Sequence, residues 1–366
     1  MNGKISQIQM ISMGSCYVMG TNLVSVFISD VAGNESWLVG FMGAIVFLPV
    51  LLIYLALTKR YSGRSLFEIN ELALGSACGR TFSLLYLSFF LTLGALNVIE
   101  AANFLYYFIM PDTPLIFIAV FLVSACVYCV KKGMIAIARV STIFLIVAVL
   151  GMVFTTLLSI SHMNLDFFFP VFNRGLIDYV QSTHIAAAIP FGESIVFLML
   201  VPELSEKASV KKVYVGISLF TVFIMTLVYF REVLSLGPII DIATLPSFEA
   251  VRIINIDDIF SRIESLFALL LVSLTFFKIL IIFSICLKGT KQIFRLESYE
   301  HIIIMLGAFF TVYAIGVYGS PSRNIFWGKN VSPFIWSFFS FVMPLITLAV
   351  SGIRGKKHLV GGGLGK

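Results

Sequence analysis

The stretch His184-Ile-Ala-Ala-Ala-Ile-Pro-Phe-Gly-Glu-Ser-Ile-Val-Phe-Leu-Met-Leu-Val-Pro202 decides the fold. It is apolar enough to cross a bilayer, yet its middle holds Pro190, Phe191, Gly192 and Glu193. Proline removes a backbone donor and clashes with the preceding turn. Backbone freed at membrane depth persists only where protein or a cavity satisfies it. A helix break at this depth predicts a binding site built around it.

The rest of the chain has the composition this reading needs. Hydrophobic residues make up 59% of the 366, charged residues 12%, and the mean hydropathy is +1.01. Ordinary soluble domains carry about 25% charged residues, so composition excludes that class. Apolar runs of roughly 20 residues recur along the whole length and leave no room for a large soluble domain. The expectation is one integral membrane domain over residues 1–355, followed by a Gly-rich, disordered tail at 356–366. The first apolar run lacks a small-residue cleavage site and carries Ser12, Ser15, Thr21 and Asn22, so it reads as a retained helix. Cys126 and Cys129 stand alone in an apolar run with no second pair and no nearby histidine, which favours helix packing over a metal site.

Ten spans can be drawn, at roughly 7–29, 37–57, 81–109, 114–130, 138–160, 183–201, 211–231, 262–287, 300–318 and 332–351. Alternate connections differ sharply in basic residues. One side holds eighteen Lys and Arg, in the clusters 59–80, 131–139, 207–212, 288–295 and both termini. The other side has only Arg174, Arg231, Arg252, Arg262, Arg323 and Lys329, so both termini are expected in the cytoplasm. Because the +6 net charge is spread over short clusters between spans, it writes topology and does not grip nucleic acid. Two long connections carry structure of their own. Ser247 is expected to cap a short helix with Phe248, Val251 and Ile254 on its apolar face, and the 160–175 connection to add an external helix.

Five spans per half put the halves in opposite orientation, a 5+5 inverted repeat. Transporters of that type bind near the midplane, at interrupted helices in corresponding positions. The counterpart of span 6 is span 1, where Gly20-Thr21-Asn22 supplies a second Gly-plus-polar interruption. Helices 1 and 6 are therefore expected to be broken at mid-membrane. Amides heading the second half of span 1 suit a carboxylate, and carbonyls near Val18, Met19, Ala188 and Ile189 suit an ammonium. Such a pocket matches a zwitterionic amino acid, with Phe191 and Ile195 selecting the side chain. The competing reading is that both interruptions are simple kinks.

Ionisable groups inside spans cost at least about 2.5 kcal/mol each and usually face an interior. Glu193 is the deepest, and Glu100 lies one turn after Asn97 on the same face of span 3. Lys278 in span 8 either fills a cation cavity, pairs with a carboxylate, or snorkels to the surface. The candidate ligand residues are thus Gly20, Thr21, Asn22, Asn97, Pro190, Phe191, Gly192 and Glu193, with Glu100 and Lys278 for proton or ion coupling. No catalytic or metal-ligand constellation is present in the sequence, which points to a non-enzyme without cofactor.

Taken together, several stretches resemble the spore-germination permease family, the B subunit of nutrient germinant receptors, in the amino acid/polyamine/organocation superfamily. They are Ile5-Ser6-x-x-Gln9, Gly20-Thr21, Trp37, Met110-Pro111-Asp112-Thr113-Pro114, Gly133 with Ala138-Arg139, 170–175, Pro190-Phe191-Gly192-Glu193, and Phe248-Glu249-x-x-Arg252-Ile253 leading to Arg262-Ile263-Glu264. The resemblance covers residues 5–355 and implies a ten-helix bundle in the inner membrane of a spore. It further implies a small nutrient ligand and partner A and C subunits that receive a germination signal. A proton-coupled amino acid permease that transports its ligand is the alternative.

Overall fold

The computed structural model describes residues 3–21, 26–254, 263–317 and 321–361. Among these the chain is all-helical apart from turns, loops and a parallel bridge between Ile5 and Leu204. The first half contains α1 (Gln7–Gly20), α2 (Val26–Ala32), α3 (Ser36–Arg60), α4 (Leu66–Leu74), α5 (Ser76–Phe108), α6 (Leu115–Val130) and α7 (Met134–Ser159). The second contains α8 (Leu176–Ala186), α9 (Val210–Leu236), α10 (Pro246–Arg252), α11 (Ile263–Phe294), α12 (Ile303–Val317), α13 (Pro321–Asn330), α14 (Ser332–Ser337) and α15 (Met343–Gly361).

Eight helical runs among the described residues are long and apolar enough to cross a membrane. The other two expected spans fall on shorter pieces, α1 with α2, and α6, so the count of ten depends on them. The most apolar 18-residue stretch of the run from Leu176 to Glu203 is 89% buried in the protein, whereas that of the run from Met134 to His162 is 22% buried. The span with the Pro-Phe-Gly-Glu motif is thus the central post, and α7 faces the surroundings.

The two interruptions take different forms. In span 1 the α-helix stops at Gly20 and helix is present again from Val26, with Asn22 outside the described residues. Span 6 stays helical but changes type: α8 gives way to a π turn over Ala187–Phe191, then to a 3-10 helix over Gly192–Glu203. Pro190 has no N–H to offer the α ladder, and widening the turn is a recognised way to absorb the defect. Span 10 has a matching π turn over Phe338–Val342, packed against the 3-10 segment.

Local chemistry explains several motifs. Ser6 and Gln9 form a reciprocal capping box, Gln9 N–H to Ser6 Oγ at 3.3 Å and Ser6 N–H to Gln9 Oε1 at 2.9 Å, which starts α1. Gly133 begins α7 at φ +84°, a conformation that favours glycine. The short helix α4 was not foreseen. Its Ser65/Glu68 capping box and its buried Leu66, Phe67 and Ile69 lay it against α5. A Cβ on Gly79 of α5 would lie 2.5 Å from the Glu71 Cα and 2.6 Å from the Asn70 carbonyl. Gly79→Ala is therefore expected to force α4 away and cost about 1–3 kcal/mol, read as a lower unfolding temperature of the purified protein.

Three expectations need correcting. Ser247 does not cap α10: it sits inside the first turn and donates its hydroxyl to Glu232, while Phe248, Val251 and Ile254 are buried as expected. The 160–175 connection holds 3-10 turns at Ile160–His162 and Leu165–Phe168, not an external helix. Arg231, counted with an external connection, is fully buried in α9. It reaches Thr155 Oγ1 at 3.3 Å and the Ser247 carbonyl at 3.3 Å, with its guanidinium 4.9 Å from the Phe267 ring centre. The last helix extends to Gly361, so only the first residues of the 356–366 tail lie within the described backbone.

Candidate ligand site between spans 1, 3, 6 and 8

Glu193 opens the 3-10 segment of span 6 with its carboxylate buried in the bundle. The Lys278 ammonium of α11 lies 2.8 Å from Oε2, and both side chains are 3% exposed or less. Trp336 of α14 donates its indole N–H to Oε1 at 3.0 Å. Lys278 directs a hydrogen bond to Thr21 Oγ1 at 2.9 Å and sits 5.1 Å from the Tyr17 ring centre. The contact with Oε2 is charge proximity; the aligned bond goes to Thr21. One ammonium thus ties the end of α1 to the discontinuity of span 6.

Glycine makes that tie possible. A Cβ on Gly20 would lie 2.8 Å from the Leu274 carbonyl oxygen and 3.1 Å from Lys278 Cβ. Only the missing side chain lets α1 approach α11 closely enough for Thr21 and Lys278 to meet. Gly192 is similarly confined, since its Cβ would come within 2.9 Å of Ser340 Oγ in the π turn of span 10.

Asn97, Glu100, Glu193 and Lys278 line one small cavity, together with Asn324 and Trp336. Its volume is about 20 Å³, enough for about one water. Asn97 donates to the Leu93 carbonyl at 2.7 Å, and its buried Oδ1 has no hydrogen-bond partner among the described residues. Asn324 of α13 lies 3.5 Å from Glu100 Oε1, a long contact. Ionisable and polar groups from spans 1, 3, 6, 8 and 10 and from α13 therefore meet at one point.

Other predicted residues are placed elsewhere. Phe191 stacks on Phe47 of α3 with ring centres 5.6 Å apart, and Pro190 is buried within the π turn; neither lines the cavity. Three of the four carbonyls proposed for an ammonium are engaged locally: Thr21 N–H reaches Val18 and Met19, and Gly192 N–H reaches Ile189. Sequence reasoning missed Trp336, Tyr17 and Asn324. Tyr17 was recoverable, because it lies one turn before Thr21 on the same face. Trp336 carried no signal, being an aromatic in an apolar run.

Comparison with known proteins agrees with this architecture. The family model described as "Spore germination protein" matches residues 4–317. Spore germination protein KB of Bacillus subtilis (strain 168) is 24% identical over 363 residues, covering 97% of this chain and 96% of that protein. Spore germination protein B2 of the same organism is 21% identical and covers 88% of this chain and 89% of that protein. In Bacillus anthracis, spore germination protein XB is 23% identical over 71% of this chain and 73% of its own length. Two solved structures share the fold at a TM-score of 0.65. One is MhsT in complex with L-phenylalanine, 14% identical, covering 95% of this chain and 97% of that one. The other is Mhp1, a nucleobase-cation-symport-1 family transporter with bromovinylhydantoin bound, 13% identical, covering 95% of this chain and 78% of that one. A transporter fold thus carries the Ser6 capping box, the Gly20 interruption and the Pro190 turn inside one matched region, and the chain belongs to the spore germination protein family.

Proposed function

We propose that this chain is a nutrient germinant receptor subunit of the B type, which binds a small molecule, an amino acid in the first instance, and signals germination to partner A and C subunits. It does so in the inner membrane of the spore with both termini in the cytoplasm. One observation carries the reading. The Glu193–Lys278 pair closes the point where the interrupted helices meet and leaves room for only about one water. A ligand entering there must part the pair, so occupancy and rearrangement become one event. A switch requires that the ligand favour one arrangement over the other. A zwitterion does so by offering its ammonium to Glu193 and its carboxylate to Lys278.

The transporter-fold neighbours hold L-phenylalanine and bromovinylhydantoin, ligands of the size the reading needs. The test is thermal stabilisation of the purified protein across amino acids, sugars and nucleosides, since binding to the folded state alone raises its stability. One compound class is expected to raise the unfolding temperature. Glu193→Gln should lose that rise while staying in the membrane, because Gln keeps the Trp336 bond and removes the charge. An unchanged ligand response in that variant would move the site elsewhere.

Glu100 supports the second reading, a proton-coupled permease, because its carboxylate faces the same cavity with only the long Asn324 contact among the described residues. Accumulation of an amino acid in reconstituted vesicles, driven by a pH gradient, would favour transport. Stabilisation by ligand without accumulation favours the sensor.

A further inference from the structure

Beside the ion-pair site lies a larger cavity of about 410 Å³ between α5, α12, α13 and α14. Its lining includes Phe89, Leu96, Tyr313, Gly316, Trp327 and Trp336, and Leu96 and Trp336 also line the small cavity. Trp336 is thus a partition, with its indole N–H on Glu193 and its ring against the larger space.

Three polar residues of this wall, Ser88, Thr92 and Tyr313, bond within the protein. Ser88 donates to the Leu85 carbonyl at 2.8 Å, Thr92 hydroxyl is within 2.9 Å of the Ser88 carbonyl, and Thr92 and Tyr313 hydroxyls meet at 2.8 Å. Such a wall holds little for water or a polar ligand; apolar cavities stay dry and take apolar occupants. The rim opens toward the surroundings of the bundle: Leu85 precedes Ser88 by one turn, Phe309 touches Tyr313, Phe338 touches Phe339, and all three rim residues are exposed. At the other end, Trp327 lies on α13 with Arg323 and Lys329, the aromatic and basic pairing found at a membrane–water boundary.

We infer that this cavity is a binding site for a lipid acyl chain, which enters between spans 9 and 10 and rests against Trp336. Surfaces facing across a gap forfeit dispersion contacts unless something fills it, and at this depth the surrounding medium is acyl chain. The chain supports the face of Trp336 opposite Glu193, so lipid and the central carboxylate bear on the same indole. The site exists whether or not the central pocket binds a nutrient.

The protein has three tryptophans, Trp37, Trp327 and Trp336. Trp37→Phe with Trp327→Phe leaves Trp336 as the single emitter in the full-length protein, reconstituted into vesicles of plain or chain-brominated phosphatidylcholine. Trp336 is 6% exposed, so bulk lipid has little access to it except through the cavity. Its fluorescence is expected to fall by more than half in brominated vesicles and to be unaffected by aqueous iodide. Gly316 lines the cavity, and a Cβ there meets nothing within 4 Å among the described residues, so Gly316→Phe starts in open space, puts a ring into the cavity and should restore most of the emission; Gly316→Leu should restore part of it. Equal emission in plain and brominated vesicles would overturn the inference, as a cavity filled by protein predicts. Quenching by iodide, which marks an aqueous cavity, would do the same, and so would undiminished bromine quenching in both Gly316 variants.

Discussion

Replacing Lys278 with methionine is expected to destabilise the protein by about 3–5 kcal/mol, more than any other single change in the central site. The Glu193 carboxylate would keep its Trp336 bond but lose the ammonium 2.8 Å away, beside a cavity with room for only about one water, which cannot replace a full charge. Methionine fills most of the lysine stem's volume, so the cost is electrostatic and not a cavity effect. The double variant Lys278→Met with Glu193→Gln removes both charges and should recover most of the loss. Buried ion pairs gain little over neutral groups of similar shape, because desolvation offsets their attraction. Unfolding temperatures of wild type, both single variants and the double variant form the cycle that measures the coupling. A double variant no more stable than Lys278→Met would show that the lysine acts through Thr21 and Tyr17, and not through Glu193.

Gly20→Leu is expected to abolish the nutrient response while leaving the protein in the membrane. Its Cβ would meet the Leu274 carbonyl at 2.8 Å, a backbone atom that cannot turn aside, so α1 must move away from α11. Thr21 then loses Lys278, and the two interruptions are no longer joined. Overpacking of this kind typically costs about 1–3 kcal/mol, small enough for the fold to survive. The measurements are germination against nutrient concentration, with the amount of protein in the spore membrane as control. Gly20→Ala, with one carbon instead of four, should shift the response less. A normal response from Gly20→Leu at normal protein level would remove span 1 from the site.

Much of this was legible in the chain. Pro190 and Gly20 announce interruptions because backbone geometry is a local property, and a proline's missing donor is missing in any fold. Ionisable and amide residues in apolar runs point inward for equally local reasons, so Glu193, Glu100, Asn97 and Lys278 could be nominated. Their convergence on one cavity follows. The partner of Phe191 was not legible, because the π turn sets the azimuth of everything near it, and its ring stacks on Phe47. Arg231 was misread because charge counting assumes that a cation beyond the end of a predicted span is exposed. Here α9 continues to Leu236 and buries it.

By itself the sequence determined the class of the molecule, its approximate spans and the two positions where helix 1 and helix 6 depart from α geometry. Hydropathy and the chemistry of Gly and Pro act over a few residues and do not depend on neighbours. Only the tertiary structure decided that Lys278 pairs with Glu193, that Trp336 donates to the carboxylate, and that span 6 answers its proline with a π turn and a 3-10 segment instead of unwinding. Those outcomes depend on how each helix is rotated about its axis and how closely it approaches the next. Packing between segments far apart in the chain sets both, and Gly20 against Leu274 is the contact on which the central pairing turns.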